Sequence, residues 1–134
     1  MLVHPSTVTD RAVWNATLAQ MPYAHVLQTW EWGDFKTFTT GWAAERIAYS
    51  HQGGVVAMAQ ILTRRVGPLA IMYVPKGPAL DYTDQPLRAA VLDALKRHAQ
   101  EHNAIFLKID PDVVTGAGVP GEPGAFDDPT GQQI

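Results

Sequence analysis

Apolar residues at helical spacing predict two helices in the first forty residues of the chain. In the segment TVTDRAVWNATLAQMP the apolar side chains fall on one helical face, with Thr9 as a candidate N-cap, and Pro22 ends the pattern. The segment QTWEWGDFKTFTTGW repeats this pattern between a Thr29 cap and a Gly41 terminator. We therefore expect two helices before the first strand of a sheet.

Beyond the second helix the chain takes on the composition of β-strands. Residues 44–50 and 54–66 flank the turn HQGG, and residues 69–76 follow after another short turn. These three segments predict an antiparallel meander. Residues 104–110 predict a fourth strand, and their mostly apolar composition favours a central position in the sheet.

The most regular helical pattern lies between the third and fourth predicted strands. The segment DQPLRAAVLDALKRHAQEHN begins at an Asp84 cap, carries Pro86 in its first turn and can end with Asn103 in a left-handed conformation. A helix that connects two strands forms a crossover. The fold class is therefore predicted to be α/β in the broad sense, or α+β, with helices packed on a mixed sheet.

The last twenty residues differ from the rest of the chain. Residues 115–134 contain five glycines and three prolines, a composition that opposes regular elements. We interpret residues 1–114 as a first, partial unit and residues 115–134 as a loop that leads into a missing C-terminal part. The string GAGVPG matches the glycine pattern of dinucleotide sites, but EPGAFDDP follows it where such a site requires a helix, so we do not assign that function.

Composition excludes several classes of protein. A hydrophobic content of 46%, a charged content of 17% and a formal net charge of −3 are typical of a soluble globular domain. The charge disfavours DNA binding and an all-over basic surface for nucleic acid, so any RNA contact would have to be local. The absence of cysteine excludes disulfides and thiolate sites. Because the sequence lacks a signal-peptide pattern and any apolar run of about 18 residues, we expect a cytoplasmic protein with at most peripheral membrane contact.

The histidines do not form an obvious metal-binding motif. His98 and His102 lie one helical turn apart, a spacing that can bind a metal. We interpret them instead as surface or rim residues of an amphipathic helix. No metal is expected.

Two pairs of residues carry candidate chemistry. Lys36 lies one helical turn after Trp32, so its ammonium group can project beside the indole, although a solvated surface lysine is the simpler interpretation. Asp110 and Asp112 flank Pro111 at the end of the fourth predicted strand. Two such carboxylates can bind a substrate amine or can cap a turn, and the residues themselves favour neither interpretation.

Three strings resemble a known family when they are taken together. LQTWEWGDFK, YVPKGPALDY and FLKIDPDV, in this order and separated by a hairpin and a helix, resemble the Fem (FemAB) family of aminoacyltransferases that build the interpeptide bridges of peptidoglycan. The resemblance extends over residues 27–114. It implies a fold similar to the acyl-CoA N-acyltransferase (GNAT) fold, with two units in the whole protein and an incomplete first unit in this chain.

The resemblance also implies an activity and its partners. An amino acid would pass from aminoacyl-tRNA to the stem-peptide amine of a peptidoglycan precursor, either UDP-linked or lipid-linked, without acyl-CoA or another cofactor. Because the second unit and a second cation for the precursor diphosphate are missing, we expect the chain alone to bind weakly or to be inactive.

Site residues follow from the same resemblance. Lys36 is expected to hold the diphosphate of the precursor, and Asp110 to act as the catalytic residue near the accepting amine. Lys76, fixed between Pro75 and Gly77, is a further candidate contact for precursor or RNA phosphate, or simply a solvated residue in a bend. The predicted substrate-binding residues, all from the three strings, are Trp32, Lys36, Tyr73, Lys76 and Asp112.

Two other functions remain open. A CoA-dependent N-acyltransferase of the same fold is disfavoured, because the sequence lacks the Q/R-x-x-G-x-G/A loop that cradles the CoA pyrophosphate. A non-catalytic half that only recognises a precursor or supports a partner domain also stays open, because the three strings contribute to folding as well.

Overall fold

The architecture is a mixed sheet with helices on both faces. A computed structural model describes residues 1–111, 113, 116–117 and 126–127. Its elements are, in chain order, β1 (His4–Thr7), α1 (Arg11–Leu18), a 3-10 turn (Val26–Gln28), α2 (Trp30–Thr40), β2 (Ala43–His51), β3 (Gly54–Val66), β4 (Leu69–Val74), β5 (Ala79–Leu80), α3 (Gln85–Glu101), β6 (Ala104–Ile109), β7 (Gly116–Ala117) and β8 (Phe126–Asp127).

The main sheet has the strand order β1-β2-β3-β4-β6, and the short strand β5 also pairs with β3. All pairs in this sheet are antiparallel except β4 and β6, which run parallel and are connected by the crossover through α3. The predicted meander and the predicted α+β class are confirmed. The arrangement is compatible with the expected GNAT-like fold.

Strand β6 lies at the outside of the sheet in the part of the chain that the structure describes, so the predicted central position is wrong. Ile105 and Phe106 are 58% and 51% exposed. An apolar run indicates a strand with buried faces, but it carries no information about how many strands flank it. Strand β1 was not predicted, because its sequence HPST is polar and exposed and it is held by main-chain pairing with β2.

The helices begin and end close to the predicted residues. Asp10, rather than Thr9, caps α1 by accepting a hydrogen bond from a backbone N–H. Thr29 caps α2, which ends at Gly41 with φ +74°. Asp84 caps α3 as expected. Among the described residues, no helix combines the length and the apolarity needed to cross a bilayer.

Two apolar clusters hold the helices on the sheet. On one face, Val91 and Leu95 of α3 pack with Ile61 and Val74 of the sheet. On the other face, Trp14 of α1 belongs to a smaller cluster. Each fully buried side chain of this size contributes about 1.5–3 kcal/mol, so these contacts fix the positions of α1 and α3 relative to the strands.

The C-terminal segment contains one structural feature that the sequence did not predict. Strands β7 and β8 pair antiparallel, so the prediction of no regular element in residues 115–134 is wrong at these positions. The predicted substrate-binding residue Asp112 lies outside the described residues. Apart from β7 and β8, so do the residues from 115 onwards, for which we expected a lack of order.

Candidate functional site

A buried glutamine fills a gap between β3 and the segment that joins β4 to β5. Along β3, Leu62 pairs with Tyr73 of β4 and Met58 pairs with Ala79 of β5, which leaves Gln60 without a strand partner on that side. The side chain of Gln28 occupies this position.

The side-chain amide of Gln28 makes the hydrogen bonds that a neighbouring strand would otherwise make to Gln60. Its Nε2 donates to the Pro75 carbonyl at 2.7 Å and, more weakly, to the Gln60 carbonyl at 3.3 Å, and its Oε1 accepts from the Gln60 backbone N at 2.8 Å. Pro75 has no N–H and cannot extend the ladder itself. The glutamine therefore satisfies buried main-chain groups that no strand reaches.

The sequence PKGP, residues 75–78, allows its backbone to lie close to the Gln28 amide. A Cβ on Gly77 would lie 2.6 Å from Cδ of Gln28, so only glycine fits against the amide. Lys76 adopts a left-handed conformation with φ +52°, and the Gly77–Pro78 peptide bond is cis. The bend turns the backbone N–H of Lys76 away from β3 and towards β6.

The carboxylate of Asp110 accepts a hydrogen bond from the backbone N–H of Lys76. Because β4 and β6 are parallel, their C-terminal ends meet at the same edge of the sheet. Asp110 Oδ1 accepts from the Lys76 backbone N at 2.6 Å, and Oδ2 accepts from the Tyr73 hydroxyl at 2.7 Å. The structure thus brings together three residues that the sequence analysis selected, although Lys76 contributes its backbone to this contact.

The electrostatics of this cluster keep Tyr73 neutral. Burial, together with the hydrogen bond to Asp110 and the charge of its carboxylate, raises the pKa of Tyr73 from 10.0 to about 12. Tyr73 is therefore a hydrogen-bond donor throughout the physiological pH range. Lys108 lies opposite Tyr73 in the β4–β6 register, with its Nζ 5.2 Å from the centroid of the tyrosine ring.

A second group of predicted residues lies on α2. Lys36 Nζ is 5.7 Å from the centroid of the Trp32 ring, so the predicted proximity of the two side chains is present. The indole Nε1 of Trp32 is buried and has no hydrogen-bond partner among the described residues. In that part of the chain no hydrogen bond or ion pair links Lys36 to Asp110.

A buried polar network fixes the start of α2 on the sheet. Gln60 Nε2 donates to the Thr29 carbonyl at 2.7 Å, and Gln60 Oε1 accepts from Arg46 Nε at 2.8 Å. Arg46 Nη2 donates to the Trp30 carbonyl at 2.9 Å and to Asp34 Oδ1 at 3.1 Å. Trp30 also stacks on Arg46, with 3.8 Å between the guanidinium carbon and the ring centroid.

Comparison with known proteins assigns the chain to a family. Residues 11–119 match the model of the FemAB family. The chain belongs to the FemAB family. The resemblance noted in the sequence is therefore confirmed.

FemAB relatives of this chain are similar over most of its length. The lipid II:glycine glycyltransferase of Staphylococcus saprophyticus is 34% identical over 113 residues, which cover 83% of this chain and 27% of that protein. The enzyme of the same name from Staphylococcus aureus is 35% identical over 106 residues, covering 78% of this chain and 25% of that protein. The chain thus spans about a quarter of the length of these relatives.

A FemAB protein of known structure supports the fold. The crystal structure of FemX superposes with a TM-score of 0.72 at 33% sequence identity, covering 83% of this chain and 28% of that chain. Over the matched region, the fold described above is therefore similar to that of FemX.

Sequence reasoning missed several residues that shape this FemAB site. Gln28, Arg46 and Gln60 form the buried polar connections, and Lys108 lies against Tyr73. One signal was available, because Gln60 interrupts the apolar run from Val55 to Leu62 in β3 and a buried amide must find hydrogen-bond partners. The partners themselves are distant in the sequence, so the pattern could not identify them.

Proposed function

We propose that this chain forms the precursor-binding part of an aminoacyltransferase of peptidoglycan synthesis. The complete enzyme would transfer an amino acid from aminoacyl-tRNA to the stem-peptide amine of a lipid-linked or UDP-linked precursor. The name lipid II:glycine glycyltransferase, borne by the relatives, supports acyl transfer to a lipid-linked acceptor. The observation that carries the proposal is the carboxylate of Asp110, held by two hydrogen bonds at the shared edge of β4 and β6.

The chemistry is aminolysis of an ester. The amine nitrogen attacks the ester carbonyl, a C–N bond forms, the C–O bond to the tRNA ribose breaks, and the nitrogen loses a proton. Such a reaction depends mainly on the alignment of amine and ester. Each oxygen of Asp110 accepts one hydrogen bond in the free protein and retains one further lone pair, so the carboxylate can also accept from a substrate ammonium group.

Tyr73 and the Lys76 backbone are the supports of this carboxylate. Both donate to Asp110, and a donor from each of two neighbouring chain segments leaves the carboxylate little rotational freedom. We assign Asp110 the role of orienting the incoming amine, and we assign Tyr73 a positioning role. The Lys76 ammonium group remains a further candidate contact for an anion.

The position of Lys36 on α2 supports a diphosphate contact. Asp34 binds Arg46 of β2, and Lys36 follows two residues later, a rotation of about 200° around the helix. Lys36 therefore lies on a different flank of α2 from the side chain that binds Arg46. The Trp32 ring lies beside it, 5.7 Å from Lys36 Nζ, and we assign both side chains to precursor binding.

The experiment uses the complete transferase with Lys36→Ala and Asp110→Asn. Charge-assisted contacts contribute about 1.5–3 kcal/mol, so Lys36→Ala should weaken binding of the UDP-linked pentapeptide precursor roughly tenfold or more. Asp110→Asn should slow transfer from aminoacyl-tRNA more than it weakens precursor binding. Lys96→Ala, which removes an exposed lysine of α3, is the matched control and should change neither.

Four outcomes would contradict the proposal. If Lys36→Ala leaves precursor affinity unchanged, or only lowers thermal stability, then Lys36 is an ordinary surface lysine and does not bind the diphosphate. Equal transfer rates in wild type and Asp110→Asn would remove the assigned role of the carboxylate. Transfer that proceeds from acyl-CoA and not from aminoacyl-tRNA would favour the CoA-dependent alternative.

A further inference from the structure

Three side chains with metal-binding atoms meet between α3 and β2. Glu45 Oε2 lies 3.0 Å from His98 Nε2, and the rings of His98 and His102 have centroids 4.2 Å apart. One nitrogen or oxygen atom from each of the three residues lies within 4.8 Å of the others, and all three residues are half-buried. Glu45 precedes Arg46 in β2, so this cluster is on the opposite face of the sheet from the polar network at α2.

We propose that Glu45, His98 and His102 bind a divalent metal ion, with Zn²⁺ as the preferred ion. Two imidazole nitrogens and one carboxylate oxygen are a donor set that zinc accepts readily, with water in the remaining position. The two histidines are one turn apart on α3, and the carboxylate comes from a different element. An ion bound here would link the C-terminal part of α3 to β2.

The distance between the donor atoms of Glu45 and His98 suits a shared ion. Two ligands that each lie about 2.0–2.1 Å from zinc at a tetrahedral angle are about 3.3 Å apart. The 3.0 Å separation of Glu45 Oε2 and His98 Nε2 is close to this value, so an ion can replace the hydrogen bond with small side-chain movements. No backbone movement is required at this pair.

A hydrogen bond prepares His102 to act as a ligand. Its Nδ1 lies 2.7 Å from the His98 carbonyl oxygen, which can only accept, so Nδ1 carries the proton. The unprotonated nitrogen of the neutral ring is then Nε2. This arrangement, in which a carbonyl holds one ring nitrogen and the other binds the ion, is the usual one for histidine ligands.

His102 adds a third donor beside the Glu45–His98 pair. Its ring lies against that of His98, with 4.2 Å between the centroids, but it makes no hydrogen bond to the carboxylate in the described structure. One carboxylate and two imidazoles form the donor set of a metal site, whereas a salt bridge needs only the first two residues.

Space for a further ligand exists beside His98. The residue lines a cleft of about 300 Å³ together with Tyr49. Arg97 and Glu101 of α3 line the same cleft, so polar side chains border it beside His98. A water molecule that completes the coordination of the ion can enter from this side.

The test is zinc binding to the tag-free chain after treatment with EDTA and dialysis. Titration with ZnCl₂ in a calorimeter should show saturable binding of a single ion, and excess ZnCl₂ should raise the midpoint of thermal unfolding. Titration with Co²⁺, followed by visible absorption, should show a tetrahedral or five-coordinate spectrum that ZnCl₂ abolishes. Binding in His102→Ala should be weaker by about tenfold or more.

Controls separate the site from nonspecific binding by histidine. His102→Ala leaves the Glu45–His98 pair intact, so its unfolding midpoint without metal should remain near that of the wild type. His51→Ala removes a histidine of β2 outside the cluster and should bind zinc as the wild type does. Absence of saturable binding, unchanged affinity in His102→Ala, or equal losses in His51→Ala and His102→Ala would each overturn the proposal.

Discussion

Replacement of Gln28 with leucine tests whether a side-chain amide holds the PKGP bend against β3. Leucine has a similar size, so the packing against Gly77 should change little, while every side-chain hydrogen bond of Gln28 is lost. The Pro75 carbonyl and the Gln60 backbone N–H would then be buried without partners. Gln28 and Gln60 are both 0% exposed, so water cannot replace the amide without a rearrangement.

The expected loss of stability follows from the two short hydrogen bonds. The bonds of 2.7 Å to Pro75 O and 2.8 Å from Gln60 N each leave an unpaired group that costs about 1–3 kcal/mol. Burial of a leucine side chain offsets about 1.5–3 kcal/mol of this sum. The midpoints of these ranges predict a net loss of about 2 kcal/mol in the free energy of unfolding.

Urea denaturation followed by tryptophan fluorescence measures this loss. The Trp14 indole donates to the Gln28 backbone carbonyl at 2.9 Å, so its fluorescence reports on this region. Gln20→Leu, at an exposed position, is the matched control and should change stability by no more than about 0.5 kcal/mol. If Gln28→Leu is as stable as the wild type, the amide does not hold the bend and the reasoning is wrong.

Two further predictions concern packing and protonation. Gly33→Ala should destabilise the protein by about 1–3 kcal/mol, because a Cβ would overlap the Gln60 side chain, whereas Gly54→Ala, with no atom nearer than 4.0 Å, should change the urea midpoint little. Equal midpoints for the two variants would contradict this packing argument. The pKa of Tyr73 is raised from 10.0 to about 12, so the stability from its protonated form should be complete below pH 10 and should be lost as the pH rises towards 12. In an ultraviolet titration, Tyr73→Phe should lack a phenolate transition near pH 12 that the wild type shows. If the variant instead lacks a transition near pH 10, burial and Asp110 do not raise the pKa of Tyr73.

Local patterns in the sequence predicted most of the secondary structure. The caps at Thr29 and Asp84, the terminator at Gly41 and the meander from residue 44 onwards were read correctly, because each depends on residues only a few positions apart. The family was likewise predicted from three short strings and is confirmed. The roles of Lys36 and Asp110 and the boundary after residue 114 stay predictions.

Tertiary structure alone decided where these elements meet. The amide of Gln28 binds main-chain groups 32 and 47 residues away, and Tyr73 reaches Asp110 across 37 residues. Glu45 meets His98 of α3 across 53 residues, so the sequence showed only the histidine pair of that helix. The outer position of β6 could not be predicted from the sequence either. An apolar strand indicates that its side chains can be buried, but it does not indicate which neighbours bury them. Local spacing fixes the periodicity and ends of each element, whereas hydrogen bonds between distant residues depend on strand order and register, and these are set by the packing of the whole chain.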